Sequence, residues 1–353
     1  MNAELNEEAI MDERTIEKDI SITIDKVPLS RLHSIDKSDL KFGKEFADHM
    51  FVADYDGSHW SDLRVVPFGH IRISPATSAL HYGQAIFEGM KAFRTDDGDI
   101  LLFRPDENIS RFNRSAERMC MASIPNKIFK EGLRELVSLD RDWVPSGENA
   151  SLYLRPFMFA TNEYIGVKAS EKYTFCIIET DYSRACQGGT GAAKAAGNYA
   201  ASLYPAKLAH AQGYDQLLWT DAREHKYIEE SGTMNVMFII DGKLVTPELT
   251  DSILPGVTRK SILTIARDWG MPVEERPVNV AEVLEGLRSG ALTEAFGVGT
   301  AAVIAHIRLI GYEGEDFELP PVEERTYSPK LKKYLTDLQR GRIEDKFGWT
   351  EKI

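Results

Sequence analysis

At roughly 150 residues per domain, a chain of 353 residues predicts two domains, and its 43% hydrophobic content is that of an ordinary globular protein. Lys and Arg total 42 against 55 Asp and Glu, and the net charge of −13 argues against a nucleic-acid-binding protein. No apolar run approaches the roughly 18 residues of a membrane-spanning helix. The 3 cysteines, with no CxxC pair, exclude a disulfide scaffold and favour a reducing, cytoplasmic location.

The first 25 residues are acidic and lack the basic and apolar regions of a secretory signal, so we predict a partly ordered N-terminal arm over residues 1–25. Further along, Asp-Gly pairs at 97–98 and 241–242 lie between β-rich runs and predict two hairpins. Buried strands are predicted from the runs SLYLRPFMF, KYTFCII and DQLLWT.

Apolar stripes at helical spacing predict helices over 107–119, 258–269 and 280–289. Gly270 and Pro272 supply a stop for the second helix, and the third has Asn279 as N-cap and Gly290 as its end. Helices and strands mix without regular alternation, which predicts α+β domains rather than a doubly wound sheet.

Residues 184–202 consist almost entirely of Gly, Ala and small polar residues, a texture typical of a domain junction or a backbone that lies against a ligand. We therefore predict a small α/β domain over 26–178, a linker over 179–190 and a large domain over 191–353.

The same stretch contains Lys194 among residues with almost no side chains. A lysine amine forms Schiff bases when desolvation or a neighbouring cation lowers its pKa, and small neighbours let a flat cofactor approach. Seen alone, this lysine is more often a solvated residue of a flexible loop. Because the window has neither GxGxxG nor GxxxxGK[ST], a nucleotide loop is not supported.

Other stretches offer groups that complement such a lysine. Leu254–Thr258 leads into a helix whose N-terminus suits a phosphate, and Gly297–Thr300 can present backbone N–H groups to an anion. Glu229 and Glu230 precede a Ser-Gly-Thr turn, where a carboxylate can pair with a cationic ring nitrogen. Arg155, in an apolar strand, needs an anionic partner or solvent. Each stretch also has a simpler interpretation. In the same order, these are an N-capping turn, a tight turn, solvated acids and an internal ion pair. Together, however, these groups are the parts of a pyridoxal-phosphate enzyme acting on amino acids.

The chain resembles the branched-chain-amino-acid aminotransferases, which are two-domain fold-type-IV pyridoxal-phosphate enzymes with mixed sheets and flanking helices. The resemblance runs from about Phe42 to Trp349 and is carried by collinear motifs. These are FGKEFADHM, LHYGQAIFEGMKAF, LFRPDENISRFNRSAERM, SLYLRP, GGTGAAKAAGNYAAS, YIEESGTMNVMF, LPGVTR and GVGTAAV.

The resemblance implies a role for each matching residue. Lys194 carries the cofactor and moves the substrate's proton, Glu230 bonds the pyridine nitrogen, and Tyr199 lies beside the phenolic oxygen. The implied phosphate contacts are Arg111, Val257, Thr258 and Thr300. The implied substrate residues are Tyr82, Phe87, Tyr153, Arg155, Thr300 and Ala301, with Tyr153 and the Thr300–Ala301 turn at the α-carboxylate and Arg155 at the distal carboxylate of glutamate.

The implied reaction transfers the amino group of leucine, isoleucine or valine to 2-oxoglutarate, with pyridoxal 5′-phosphate as cofactor and no metal. A homodimer with shared active sites is also implied. Tyr82 and Phe87 are similar to apolar residues of a pocket that the other subunit partly supplies, and Ile165 and Val167 approach the partner's site in the same way. The alternative on the same fold is a D-amino-acid aminotransferase or an aminodeoxychorismate-lyase-like enzyme. A catalytically idle binding protein is a further rival, which the intact motifs disfavour.

Two departures from the family pattern stand out. The segment after Ile178 is short, so either the junction is truncated or a segment is omitted, and one wall of the pocket is affected. The stretch GVGTAAVIAH lacks the CxxC pair of mammalian relatives, so no thiol switch is expected there.

Overall fold

The computed structural model describes residues 20–35, 45–148, 150–166, 168–178 and 190–353. The predicted junction at 179–190 therefore lies outside the described residues except for Thr190, as do most of the N-terminal arm and Val167. Among the described residues, no helix has the length and apolar character needed to cross a membrane.

The first half of the chain supplies strands and three helices. The strands are β1 Thr23–Ile24, β2 His49–Tyr55, β3 Trp60–Pro67, β4 Ala85–Phe87, β5 Met90–Arg94, β6 Ile100–Phe103, β7 Leu152–Ala160 and β8 Tyr173–Ile178. The helices are α1 Ser78–Tyr82, α2 Pro105–Arg118 and α3 Asn126–Leu139, with short 3₁₀ turns at Arg31–Ser34 and Arg141–Trp143.

After the junction, the strands are β9 Leu218–Thr220, β10 Tyr227–Ser231, β11 Met234–Ile240, β12 Lys243–Thr246, β13 Val273–Glu275, β14 Val278–Asn279, β15 Leu292–Gly299, β16 Val303–His306, β17 Leu309–Tyr312, β18 Glu315–Glu318 and β19 Thr350–Lys352. The helices are α4 Ala196–Ala200, α5 Leu203–Ala211, α6 Val257–Asp268, α7 Val280–Ser289 and α8 Ser328–Gln339, and a 3₁₀ turn spans Val322–Glu324.

These strands form two large sheets and one small hairpin. The first sheet has the order β1-β3-β2-β8-β7-β5-β6-β19, with β4 paired to β7. The second has the order β13-β12-β11-β10-β14. Off this path, β15 pairs with β11 and with β16, and β9 pairs with β10. Two pairs, β1–β3 and β12–β13, are parallel, whereas the other pairs are antiparallel, so the sheets are mixed and the α+β prediction is confirmed.

The turn and cap signals read from the sequence are confirmed. Asp241 and Gly242 both have positive φ (48° and 73°), the geometry of a two-residue hairpin between β11 and β12. The Asp97–Gly98 pair joins β5 and β6. Asn279 caps α7 by accepting a hydrogen bond from the backbone N–H of Ala281 at 2.9 Å, and Gly290 ends that helix with φ 79°.

Strand β11 explains how the second half is layered. Its alternate side chains enter different clusters: Met237 and Ile239 pack with α6 and α8, whereas Val236 and Phe238 pack with Val283 of α7. A strand covered by helices on both faces has a continuous apolar sequence, which is why MNVMFII shows no alternation.

Two elements differ from the sequence expectations. DQLLWT was expected to be a buried strand, but it forms only the three residues of β9, which are partly buried because β9 pairs with β10 off the main path of the sheet. The C-terminal strand β19 pairs with β6 of the first sheet although it follows the second sheet in sequence. The domain boundary at residue 191 stays a prediction, although β19 belongs to the first sheet.

Candidate active site

A cavity with an empty volume of about 720 Å³ opens to solvent where the two halves of the chain meet. The first half contributes Phe87, Gly89, Arg111, Tyr153 and Arg155 to its walls. The second half contributes Lys194, Tyr199, Glu230, Thr233, Met234, Asn235, Leu254, Gly256, Val257, Thr258, Val298, Gly299, Thr300 and Ala301. Eleven of the twelve predicted site residues, all except Tyr82, are therefore brought together.

Lys194 is fixed both at its backbone and at its amine. Its N–H donates to Ser115 Oγ of α2 at 3.0 Å, and its carbonyl accepts from the Phe87 N–H at 3.0 Å. The Nζ atom donates to Tyr199 Oη at 2.9 Å and lies 4.7 Å from the centroid of the Phe87 ring. A lysine held in this way is an oriented amine at the cavity wall rather than a solvated loop residue.

Glu230 is a buried carboxylate on β10, at the edge of the same cavity. Its Oε1 accepts a hydrogen bond from Asn235 Nδ2 at 2.8 Å and another from the Leu254 N–H at 3.0 Å. Asn235 Nδ2 also donates to the Leu254 carbonyl at 2.8 Å. The loop before α6 therefore sets the orientation of the carboxylate.

Arg111 of α2 is buried and paired with Glu88 in a two-bond arrangement. Arg111 Nε donates to Glu88 Oε1 at 2.6 Å and Nη2 donates to Oε2 at 2.8 Å, while Asn108 Nδ2 donates to Oε2 at 2.8 Å. Burial raises the pKa of Glu88, but Arg111, Lys194 and Asn108 together lower it by more, so the net pKa lies below its usual value. The pair is therefore ionic, and Arg111 Nη1 still reaches the Pro255 carbonyl at 3.3 Å, next to α6.

The backbone at the start of α6 packs closely against β11. Gly256 is its N-cap, and Val257 and Thr258 are its first helical residues. A Cβ on Gly256 would lie 2.1 Å from Asn235 Oδ1, so only glycine lets this loop meet β11. Because the first N–H groups of a helix have no partner within the helix, this end next to Arg111 is suited to an anion such as phosphate.

Tyr153 and Arg155 of β7 occupy the opposite wall. Arg155 Nη2 donates to Tyr153 Oη at 3.2 Å, and the guanidinium carbon lies 4.5 Å from the centroid of the Phe87 ring. Arg155 is only 8% exposed, and its buried Nε has no hydrogen-bond partner among the described residues. A Cβ on Gly89 would lie 2.0 Å from Tyr153 Oη, so this glycine makes room for the hydroxyl.

Predicted residues outside this cavity are few. Tyr82 is 42% exposed on α1 and does not line the cavity of its own chain. Ile165 is also exposed. Tyr82 was expected in a pocket that the two subunits share, and Ile165 near the partner's site, and both expectations stay predictions.

Sequence reasoning missed Glu88, Gly89 and Asn235. Glu88 had a readable signal, because an acid inside the apolar run AIFEGMKAF must be paired if the strand is buried. Gly89 and Asn235 act through close contacts between segments far apart in sequence, and such contacts leave no local pattern.

The comparisons agree with this geometry. Residues 85–310 match the family described as amino-transferase class IV. The chain is 45% identical over 339 residues to branched-chain-amino-acid transaminase 1 of Bacillus subtilis (strain 168), covering 90% of this chain and 95% of that protein. It is 48% identical over 335 residues to a probable branched-chain-amino-acid aminotransferase of Staphylococcus aureus (strain MRSA252), covering 89% and 93%.

The chain therefore belongs to the class IV aminotransferases, among the branched-chain-amino-acid aminotransferases. The fold is also that of the branched-chain amino acid aminotransferase from Thermobaculum terrenum in its PLP-form, with a TM-score of 0.67 at 20% identity, covering 88% of this chain and 99% of that one.

The shortened junction predicted after Ile178 lies outside the described residues and stays a prediction.

Proposed function

We propose that this chain transfers the amino group of leucine, isoleucine and valine to 2-oxoglutarate, giving branched 2-oxo acids and L-glutamate. The observation that carries the proposal is the convergence in one cavity of an oriented lysine, a buried carboxylate, a helix start suited to an anion and an arginine whose Nε has no partner among the described residues. This set matches the chemistry of an amino acid and a phosphorylated aldehyde cofactor.

Pyridoxal 5′-phosphate fits these residues. Gly256 leaves the space that a Cβ would fill at the start of α6, and Arg111, Val257, Thr258 and Thr300 supply donors for the phosphate. Glu230 offers a carboxylate to a ring nitrogen. When bound, the cofactor supplies an aldehyde for the amine and a ring that withdraws electrons from the substrate's Cα.

The catalytic roles follow from the atoms that face the cavity. Lys194 Nζ would hold the cofactor in the resting enzyme, and its free amine would act as the general base for the proton on the substrate's Cα. Tyr199 Oη accepts a hydrogen bond from this amine and keeps it beside the reacting atoms. The Glu230 carboxylate would stabilise positive charge at the ring nitrogen.

The pocket has to accept both an aliphatic and an acidic side chain. Phe87 and Tyr153 offer apolar surface, where burial of a substrate CH₂ contributes about 0.8 kcal/mol. Arg155, next to both rings, offers a guanidinium for the distal carboxylate of glutamate. The Tyr153 hydroxyl and the Thr300–Ala301 turn are assigned to the α-carboxylate that both substrates share.

We infer that two copies form a homodimer with shared active sites and that the enzyme is cytoplasmic. The dimer is supported by a surface of exposed apolar side chains around α1, here called the α1 surface and comprising Ile73, Leu80, Tyr82, Tyr164 and Ile165. The Tyr164 N–H donates to the Ala76 carbonyl at 3.1 Å, which joins its two segments. The location is supported by the low cysteine content.

The first experiment traps the covalent link. The protein loaded with pyridoxal 5′-phosphate should be yellow, and borohydride reduction should leave one cofactor on the peptide that contains Lys194. Lys194→Ala should lose the borohydride-trapped link, while Lys207→Ala, at an exposed lysine on α5, should keep it. A colourless wild-type protein that cannot be reconstituted would exclude the enzyme.

Half-reactions then test the substrate class. L-Leucine and L-glutamate should each bleach the visible absorption band of the loaded enzyme, whereas D-alanine should leave it unchanged. Bleaching by D-alanine but not by L-leucine would assign the chain to the D-amino-acid group instead.

A further inference from the structure

We propose that Lys91 is a positioning residue that holds the Thr300–Ala301 turn against the first sheet and so sets the affinity for the substrate's α-carboxylate. This inference rests on the proposed function, because that function assigns the α-carboxylate to this turn and to Tyr153.

Lys91 stands beside the carboxylate-binding wall. It lies on β5 directly opposite Tyr153 of β7, and opposite residues of an antiparallel pair point to the same face of the sheet. Its Nζ donates to the Ala301 carbonyl at 2.7 Å, a contact between residues 210 positions apart in the chain. The lysine therefore connects the first sheet, which carries Tyr153, to the end of β15.

A second bond supports the same connection. Thr300 Oγ1 donates to the Gly89 carbonyl at 3.3 Å, so two consecutive residues of the turn are bonded to residues 89 and 91. The missing side chain of Gly89 also makes room for Tyr153 Oη. The Tyr153 hydroxyl and the Thr300–Ala301 turn, which are proposed to bind one carboxylate, are therefore both positioned by the backbone of residues 89–91.

A second cation, Arg340, which follows α8, lies near Lys91. Burial first and the Arg340 guanidinium second lower the pKa of Lys91 to about 8. Arg340 is itself buried and donates to the Ala150 carbonyl at 2.6 Å. Within the described part of the chain, no carboxylate lies within ion-pair distance of Lys91.

The sign of the pH effect follows from this arrangement. Below about pH 8 the ammonium form adds positive charge behind the turn and strengthens its bond to the Ala301 carbonyl, which favours a bound carboxylate. Above that pH the amine is neutral, the charge is lost, and carboxylate affinity falls.

Binding of 4-methylvalerate to the cofactor-loaded enzyme, measured by calorimetry from about pH 6.5 to about pH 9.5, tests the proposal without requiring turnover. This probe has a carboxylate but no amine that could titrate or react. Lys91→Met should bind it about tenfold more weakly at about pH 7, and Lys91→Arg should stay within about threefold of the wild type. The matched control is Lys243→Met, at an exposed strand lysine paired with Glu274.

The pH profile separates positioning from general damage. Wild-type affinity should fall across about pH 8, and the Lys91→Met affinity should lack that step. In steady-state assays with leucine, Lys91→Met should raise KM while kcat stays within about twofold. Wild-type affinity in Lys91→Met, or an unchanged pH step, would overturn the inference. Failure of the wild type to turn over leucine, with carboxylate binding still lost in Lys91→Met, would count against the proposed function alone.

Discussion

The Glu88–Arg111 pair is the most consequential contact at the scale of single residues. Both side chains are buried, and the carboxylate also accepts from Asn108 and from the Gly89 N–H at 3.0 Å. A buried ion pair has to offset a large desolvation cost, and it does so only when such additional hydrogen bonds are made. Its geometry fixes the guanidinium next to the start of α6.

Removing one partner of this pair should be costly. Glu88→Gln leaves the Arg111 charge buried without a counterion, so the free energy of unfolding of the cofactor-free protein should fall by about 3 kcal/mol in urea titrations. Glu315→Gln, at an exposed partner of the exposed Arg288, should lower it by no more than about 1 kcal/mol.

The cofactor-loaded protein provides a second comparison. A phosphate bound beside Arg111 replaces part of the lost negative charge, so the Glu88→Gln penalty should be smaller in the loaded protein than in the cofactor-free one. Equal losses of stability in the two forms would argue that Arg111 does not contact the phosphate.

At the scale of single residues, the sequence predicted the proposed catalytic and binding residues better than the residues that orient them. Lys194, Glu230 and Arg111 were assigned from motifs, and they meet in the cavity. The groups that orient them, Ser115, Asn235 and Glu88, are ordinary polar residues whose role depends on contacts across 79, 5 and 23 positions. Only Glu88 had a signal, because a buried acid needs a partner.

Among the elements, the start of α6 joins cofactor binding to the orientation of Glu230. The loop that ends at Gly256 provides the Leu254 N–H to the carboxylate, and the same loop leads into the helix start that is proposed to bind phosphate. Asn235 is held between the two, since its amide bonds to both Glu230 and the Leu254 carbonyl.

A methyl group at this junction should disturb both functions. Gly256→Ala places a Cβ 2.1 Å from Asn235 Oδ1, so the amide must move and the Glu230 carboxylate loses a donor. We expect at least a tenfold loss of cofactor affinity in a titration followed by absorbance, with a destabilisation of about 1–3 kcal/mol.

Gly69→Ala is the matched control, because its nearest heavy atom, the Pro67 carbonyl oxygen, lies at an ordinary 3.9 Å. It should bind cofactor like the wild type. Normal cofactor binding by Gly256→Ala would contradict the role assigned to this loop.

Elements with local signals were predicted well. The hairpin at Asp241–Gly242 and the caps of α7 follow from backbone chemistry within a few residues. DQLLWT was expected to be a buried strand but forms only the short, partly buried β9, and β19 was not predicted. Edge position and strand partner depend on the assembled sheet rather than on local pattern.

On the scale of the whole molecule, the α1 surface is the feature that a single chain leaves unexplained. Leu80 and Ile165 are 61% and 68% exposed, and the isolated bridge between Thr77 and Glu163 brings their segments together. Contiguous exposed apolar side chains of this kind are typical of a protein–protein interface.

Charges at the α1 surface should therefore prevent self-association. We expect Leu80→Glu combined with Ile165→Glu to shift the protein from dimer to monomer in sedimentation velocity. Leu249→Glu, at another exposed leucine, should leave the dimer intact. Because the active sites are proposed to be shared between subunits, the monomer should also lose activity, and a fully active monomer would contradict the shared site.

The pairing of β19 (residues 350–352) with β6 has a consequence for folding during synthesis. Lys352 bonds to Asp99, which lies 253 residues earlier. The strand that covers the outer edge of β6 is therefore synthesised only after the entire second sheet. During that time the apolar strand Ile100–Phe103 is an unpaired edge, the kind of surface on which nascent chains aggregate. Completion of the first sheet thus becomes a late event in biogenesis, and a chain lacking its last few residues is expected to need chaperone protection at that edge.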